Sequence, residues 1–280
     1  MTLAHLLIAT GLLLLVLAAV MTFAWVLWRR TGNAGWVDTC WTFGLGFTGV
    51  ASAAGAIVAS EGSFARQLLI ACLIAVWTLR LGGHIALRTS GIKDDPRYAK
   101  LAESWGSDAP RRMFWMLQMQ AYASLPLALS MFLAAWNPLP ELRLQDWLAG
   151  LIFIVALGGE ALSDAQLRAF ARDPANKGKV CDTGLWGWSR HPNYFFEWLG
   201  WCAYPLFAID GFAIYPWGWL ALLGPAFMYW LLVYISGIPP LEQHMLETRG
   251  RAFRDYQNRV SAFFPLPPKT DPGAGKKPAP

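Results

Sequence analysis

Several ionisable side chains fall inside apolar runs of this sequence, among them Asp38, Arg80, His84, Glu160, Asp164 and Glu197. Such groups are costly in hydrocarbon and usually face a protein interior or a water-filled cavity. Arg80, His84 and Arg88 recur every four residues in RLGGHIALR, which puts them on one helical face. That polar stripe suits an anion or a carbonyl group. Snorkelling accounts for Arg88 but poorly for Arg80, about two turns deeper. Glu160 and Asp164 are also four apart, and Arg168 and Arg172 continue their face, so an ion-pair ladder competes with ligand binding there. Asp38, in WVDTCW, has two readings. It is either an interfacial carboxylate paired with Arg29 or Arg30, or a buried protonated acid that donates a hydrogen bond to a substrate carbonyl.

The densest chemistry lies in CDTGLWGWSRHPNYFFEW, Cys181–Trp198. Pro192 disfavours a helix through His191 and favours one beginning at Pro192 or Asn193. Arg190, His191 and Asn193 then gather at a helix N-terminus, where free amides and the macrodipole attract phosphate. Asp182 and Gly184 shape the loop before it, and Glu197 lies one turn beyond Asn193 on the same side.

The elements that must position these groups are membrane helices. Of 280 residues, 55% are hydrophobic and only 15% charged, with a mean hydropathy of +0.35. This excludes disorder and an ordinary soluble globule. A bilayer core needs roughly 20 apolar residues per helix. Leu3–Trp28, Trp36–Ser60, Gln67–Leu87, Phe114–Trp136, Trp147–Phe170, Tyr194–Ile209 and Gly211–Ile235 qualify, the sixth being short and broken by Pro205. The expectation is an all-α integral membrane protein of about seven transmembrane helices. The first run is too long for a signal-peptide core, lacks a basic flank before it, and is followed by Arg29-Arg30. With the N-terminus outside, segments 29–35, 88–113, 168–193 and 237–280 are cytosolic and hold 20 of the 23 Lys and Arg, which leaves Arg66 and Arg143 in outside loops and Arg80 within a span. The same topology puts the C-terminus in the cytosol. It also explains the net charge of +5 without nucleic acid. Membrane lipid is an expected partner. The four cysteines are far apart, with no zinc-ligand spacing and no sign of a disulfide framework, so no metal is expected. Residues 1–265 read as one domain, and 266–280, rich in Pro, Gly and Lys, as a disordered tail.

The stretches SDAQLRAFAR, DTGLWGWSRHPNYFFE and RAFRDYQNRVSAFFP resemble the steroid 5-alpha-reductase family of membrane reductases and its bacterial relatives. The resemblance covers roughly Glu160 to Pro265. It implies NADPH-dependent reduction of a carbon–carbon double bond conjugated to a ketone, in a seven-helix fold whose cytosolic loops close over the cofactor. It also implies a bacterial inner membrane, a lipophilic substrate (a steroid or other enone lipid), an N-terminal half that forms the substrate pocket, and a cofactor half at 160–265. Carried onto this chain, Asp164, Asn193 and Tyr194 lie near the dinucleotide, and Glu197 orients the nicotinamide or Asn193. Arg168, Arg172, Lys179, Asp182, Arg190 and His191 belong to the same site as phosphate, adenosine or loop residues. Glu242, His244, Arg249 and Tyr256 complete it from the C-terminal segment, and Arg88, Asp95, Arg97 and Tyr98 from the earlier cytosolic loop. The family's catalytic pair is a Glu on the second helix and a Tyr on the third. Here the second span offers Asp38, and Trp77 stands where the Tyr is expected. Asp38, assisted by Arg80 or His84, is therefore the expected carbonyl-polarising group, with Trp41 and Trp77 against the substrate. Two other classes compete. RHPNY and the Glu242 segment would also serve a membrane methyltransferase using S-adenosylmethionine, of the isoprenylcysteine or phospholipid type. A non-enzymatic lipid-binding or transport protein is the third.

Overall fold

The computed structural model describes residues 1–211 and 213–269. The expected disordered tail lies outside the described residues from 270 onward. Its first residues are hydrogen-bonded: the Leu266 amide donates to Trp188 O at 2.9 Å and the Lys269 amide to Arg259 O at 2.9 Å. The specific fold therefore runs past 265.

The described chain is helical, and the only strand-like pairing among the described residues is an isolated bridge between Ser189 and Ser261. The first helices are α1 (Leu3–Thr31), α2 (Trp36–Val58), α3 (Phe64–Ser90), α4 (Pro96–Trp105), α5 (Ala109–Ala123) and α6 (Leu125–Ala135). There follow α7 (Leu144–Arg172), α8 (Pro192–Trp201), α9 (Ala203–Ala208), α10 (Leu223–Trp230), α11 (Ile238–Arg249) and α12 (Arg251–Arg259). Five helical runs are long and apolar enough to cross a membrane: α1, α2, α3, α7 and the composite run Pro216–Arg249. Two expected spans are instead broken. The run at 114–136 divides at Ser124, whose hydroxyl turns back onto Gln120 O at 2.7 Å just ahead of Pro126. The run at 194–209 divides at Cys202, ahead of Pro205, which has no amide to continue the ladder.

The helices pack as two compact units, one of Met1–Gly150 with Ala203–Gly224, the other of Leu151–Cys202 with the chain from Pro225 onward. In the first unit α2 carries small residues on its buried face. A Cβ at Gly46 would overlap the Thr78 side chain, and one at Gly49 would lie 2.6 Å from Met131 Sδ. Without side chains there, α3 and α6 pack closely on α2.

At the end of this unit where α3 begins, Arg66 and Asp146 are both fully buried. Arg66 Nε donates to Asp146 Oδ2 at 3.1 Å, and its other donors reach the carbonyls of Asn137, Leu139 and Glu141. Arg143 bonds the same carboxylate at 2.8 Å and the carbonyls of Leu206, Phe207 and Ile209. The clasp ties α3, the 137–143 loop, α7 and the end of α9 into one buried network. The sequence reading of Arg66 and Arg143 as outside-loop charges missed this role. Removing one partner of a buried pair costs about 3–5 kcal/mol, because the other charge is left without compensation. Asp146→Ala should lower the unfolding midpoint of the detergent-solubilised protein by an amount of that order. Asp255→Ala, which breaks an exposed pair with Arg251, should shift it by less than about 1 kcal/mol. Equal effects would contradict the clasp.

Candidate functional site

In the second unit, the RHPNY turn is built by the chain that follows it. The Arg190 amide donates to Ser261 O at 2.8 Å, and Ser189 Oγ donates to Phe263 O at 2.8 Å while accepting the His191 amide. Tyr256, buried with Phe253 and Val260, donates its hydroxyl to Trp186 O at 2.5 Å. Tyr256 is thus a core residue, and its expected place as a cofactor contact is corrected: its hydroxyl is already committed to the loop.

Glu242, on α11, draws the turn together. Arg190 Nε donates to Glu242 Oε1 at 2.7 Å and Nη2 to Oε2 at 3.2 Å. His191 Nε2 lies 3.0 Å from Oε1, and Gln257 Nε2 donates to Oε2 at 2.7 Å. Arg190 Nη1 also reaches the carbonyls of Gln257 and Val260. Arg190 is therefore occupied inside the protein, which corrects its expected role as a phosphate contact. His191 is 3% exposed, and its ring stacks on Tyr194 with centroids 5.5 Å apart and planes at 10°. With Nε2 turned to Glu242, Nδ1 is buried and has no hydrogen-bond partner among the described residues.

The next residues lie on helix α8, whose start at Pro192 is where the sequence put it. Asn193 Nδ2 donates to Asp164 Oδ1 at 3.3 Å, joining α8 to α7. Trp201 Nε1 donates to Glu197 Oε1 at 2.9 Å. Glu160 is buried on α7. Arg168 and Arg172 are exposed and make no ion pair among the described residues, so the ion-pair ladder on α7 does not form. Lys179, His244 and Arg249 are exposed as well. Asp182 pairs instead with Arg259 at 3.1 Å, a partner that no motif signalled.

The first unit holds a second constellation. Asn33 Nδ2 donates to the carbonyls of Thr89 and Ile92, and Asp94 accepts the amides of Ala34 and Asp95. These bonds fix the start of α2 against the end of α3 and the start of α4. There Asp38 Oδ2 pairs with Arg97 Nη2 at 2.5 Å, and Tyr98 donates its hydroxyl to Asp38 Oδ1 at 3.2 Å. Asp95 holds Arg97 at 2.8 Å, with Arg88 at 4.0 Å. Gln120 Nε2 lies 3.4 Å from the Tyr98 oxygen. The partner of Asp38 is thus Arg97, and neither Arg29 nor Arg30. Asp38 acts as acceptor in both bonds, which corrects its expected role as the donor. Burial, aided by the Asp38 carboxylate, raises the Tyr98 phenol above its usual range, so the hydroxyl keeps its proton. Burial alone would raise Asp95 too, but its hydrogen bonds and charge interaction with Arg97 outweigh that and leave it below the usual carboxylate range.

The other expected catalytic groups lie elsewhere. On α3, Thr78, Gly82 and Thr89 form the buried face at this level, and His84 points about 140° away and is exposed. Arg80 is half-buried and its Nε and Nη2 atoms are shielded from solvent, so the stripe divides between a buried guanidinium and an exposed imidazole. Trp77 is buried, and Trp41 donates to Ser124 Oγ at 2.7 Å. Neither lines the unit's apolar cavity of about 600 Å³, bounded by Leu12, Val16, Phe47, Ala51, Phe132 and Trp136. Its nearest α2 residue is about 14 Å along the helix from Asp38. Among the described residues no cluster of His, Cys, Asp and Glu could hold a metal ion.

A family model described as a protein of unknown function (DUF1295) matches residues 24–260. An uncharacterized protein of Schizosaccharomyces pombe is 30% identical over 142 residues, covering 43% of this chain and 39% of its own length. The match thus spans about two fifths of that relative. No solved structure matches the chain.

Burial holds the His191 imidazole below its ordinary range, against the opposing pull of the Glu242 hydrogen bond and charge. The unfolded ring titrates near 6.5, so the unfolded state takes up its proton first as pH falls. The stability from the neutral ring is complete above that value and is lost as pH drops through the folded one. From about pH 7.5 to about pH 5.5 the melting temperature should fall more steeply for the wild type than for His191→Gln. Parallel slopes would contradict the buried neutral ring.

Proposed function

The chain belongs to the DUF1295 family, and we propose that it is a membrane-embedded, NADPH-dependent reductase of a carbon–carbon double bond conjugated to a ketone. The observation that carries the reading is the Asp38–Tyr98 pair. The steroid 5-alpha-reductases that the sequence resembles use an acid on the second helix and a tyrosine. Here a carboxylate on α2 holds a buried, protonated phenol at 3.2 Å. On this reading α4 supplies the tyrosine, and Trp77 stands where the resemblance expects it.

The residues of the second unit fit a dinucleotide. Exposed guanidinium and ammonium groups that make no ion pair among the described residues (Arg168, Arg172, Lys179 and Arg249) suit its phosphates. Asn193 and Asp164 supply amide and carboxylate groups at the start of α8, and His191 Nδ1 is a buried acceptor that a ligand N–H or O–H would satisfy. NADPH, when bound, would supply the hydride for the β-carbon of the enone. Tyr98 would donate a hydrogen bond to the ketone oxygen, where negative charge develops. Asp38, Arg97 and Gln120 would hold that hydroxyl in place, so its orientation costs nothing at the moment of reaction. Water would supply the proton for the α-carbon. A 3-oxo-Δ4 steroid is the substrate class that the resemblance favours. We place seven membrane passes, with the N-terminus outside and the basic loops in the cytosol, in a bacterial inner membrane.

One observation favours a second reading. The Arg190–Glu242–His191 cluster joins the same two stretches that a membrane methyltransferase using S-adenosylmethionine would employ. One experiment separates the two. The purified protein should gain thermal stability from NADPH but not from S-adenosylmethionine, and should oxidise NADPH when given a 3-oxo-Δ4 steroid. Tyr98→Phe should keep the stabilisation and lose about 10²–10³-fold in turnover, the usual effect of deleting one such donor. Stabilisation by S-adenosylmethionine alone would replace the reductase with the methyltransferase. Full turnover in Tyr98→Phe would remove the tyrosine from the mechanism.

A further inference from the structure

The first unit contains a second cavity, of about 450 Å³, that no part of the proposed reaction uses. It is lined by Trp105, Asp108, Arg111, Arg112 and Trp115. Its depth in the membrane follows from its ties to α1. Trp25 Nε1 donates to Pro110 O at 2.8 Å, and the Trp25 and Phe114 rings meet edge to face at 5.5 Å. Arg29, one turn beyond Trp25, lies over the Trp25 ring. Gln118 reaches Thr22, so α5 runs back along α1, away from Arg29. Arg111 and Arg112 therefore enter at the level where the apolar run of α1 ends and its basic pair begins. Trp115, 60% exposed, stands one turn deeper. Guanidinium groups at headgroup level with an indole just beneath them are the arrangement that an amphiphile with a phosphate head requires.

We propose that this cavity binds the headgroup of an anionic phospholipid carrying one net negative charge. The charges select that class. Arg112 is paired with Asp108 at 3.7 Å, whereas Arg111 has no ion pair among the described residues. The cavity thus carries one net positive charge. A phosphatidylglycerol head would neutralise it, with its phosphate on the guanidinium groups and its glycerol hydroxyls toward Asp108. A phosphatidylethanolamine head is zwitterionic and would leave the charge uncompensated, and its ammonium would meet an Asp108 already paired with Arg112.

The test is a lipid titration of the full-length protein in neutral detergent, read as a shift in melting temperature. Dioleoyl phosphatidylglycerol should raise the midpoint more than the phosphatidylethanolamine or phosphatidylcholine of the same chains. In Arg111→Gln/Arg112→Gln, the concentration of phosphatidylglycerol needed for half the shift should rise roughly ten-fold. Both side chains lie on the exposed surface, so the variant's midpoint without lipid should match the wild type. Equal responses of the two proteins, or equal shifts from the three lipids, would overturn the proposal. A shift produced by soluble glycerol phosphate at similar concentration would also overturn it, by assigning the cavity to a free phosphate.

Discussion

Arg190 and Glu242 stand 52 residues apart in sequence, and the two-point ion pair between them joins the RHPNY turn to the C-terminal helices. Both side chains are nearly buried, at 11% and 13% exposure. Two charges withdrawn from water are tolerated only when almost every donor and acceptor finds a partner. Here Glu242 is met by Arg190, His191 and Gln257, and Arg190 spends its remaining donor on two carbonyls. This knot aims His191, fixes the tight entry to α8, and so places Asn193 beside Asp164. Tyr256 and Ser189 support it from beneath through backbone hydrogen bonds.

The first unit follows the same logic with different groups. A run of backbone and side-chain bonds around Asn33, Thr89 and Asp94 sets the junction of α2, α3 and α4, and within it Asp38 and Asp95 share Arg97. The guanidinium holds Asp38 in place, and Asp38 orients a phenol that burial keeps protonated. In both units an Arg–carboxylate pair does not itself perform the proposed chemistry. It positions a neighbouring group, a histidine in one unit and a tyrosine in the other.

Local chemistry was the legible part of the sequence. The helix start at Pro192 was fixed by the missing amide of proline, and the apolar runs of α1, α2, α3 and α7 by length and hydropathy. Pairing over long separations was not legible. Arg97 and Tyr98 read as loop residues because nothing in DDPRY points to Asp38, 59 and 60 residues earlier. The four-residue spacing of Arg80 and His84 puts them on one face, but spacing does not reveal that the Arg80 guanidinium is buried while His84 is exposed. Phe114–Trp136 looked continuous because hydropathy averages over Ser124 and Pro126, whereas the backbone responds to each residue. Arg66 and Arg143 read as loop charges because their partners, Asp146 and a set of main-chain carbonyls, leave no periodic signature.

The central claim is that the turn knotted by Glu242 forms a nucleotide site. It is tested most directly by the dissociation constant of NADPH, followed by energy transfer from tryptophan to the nicotinamide, in the wild type and in Glu242→Gln. The amide keeps the shape of the side chain but leaves Arg190 without its counter-charge. The account predicts saturable binding in the wild type and affinity weakened at least about ten-fold in the variant. Equal affinity in the two proteins, or a wild type that does not bind NADPH, would contradict it.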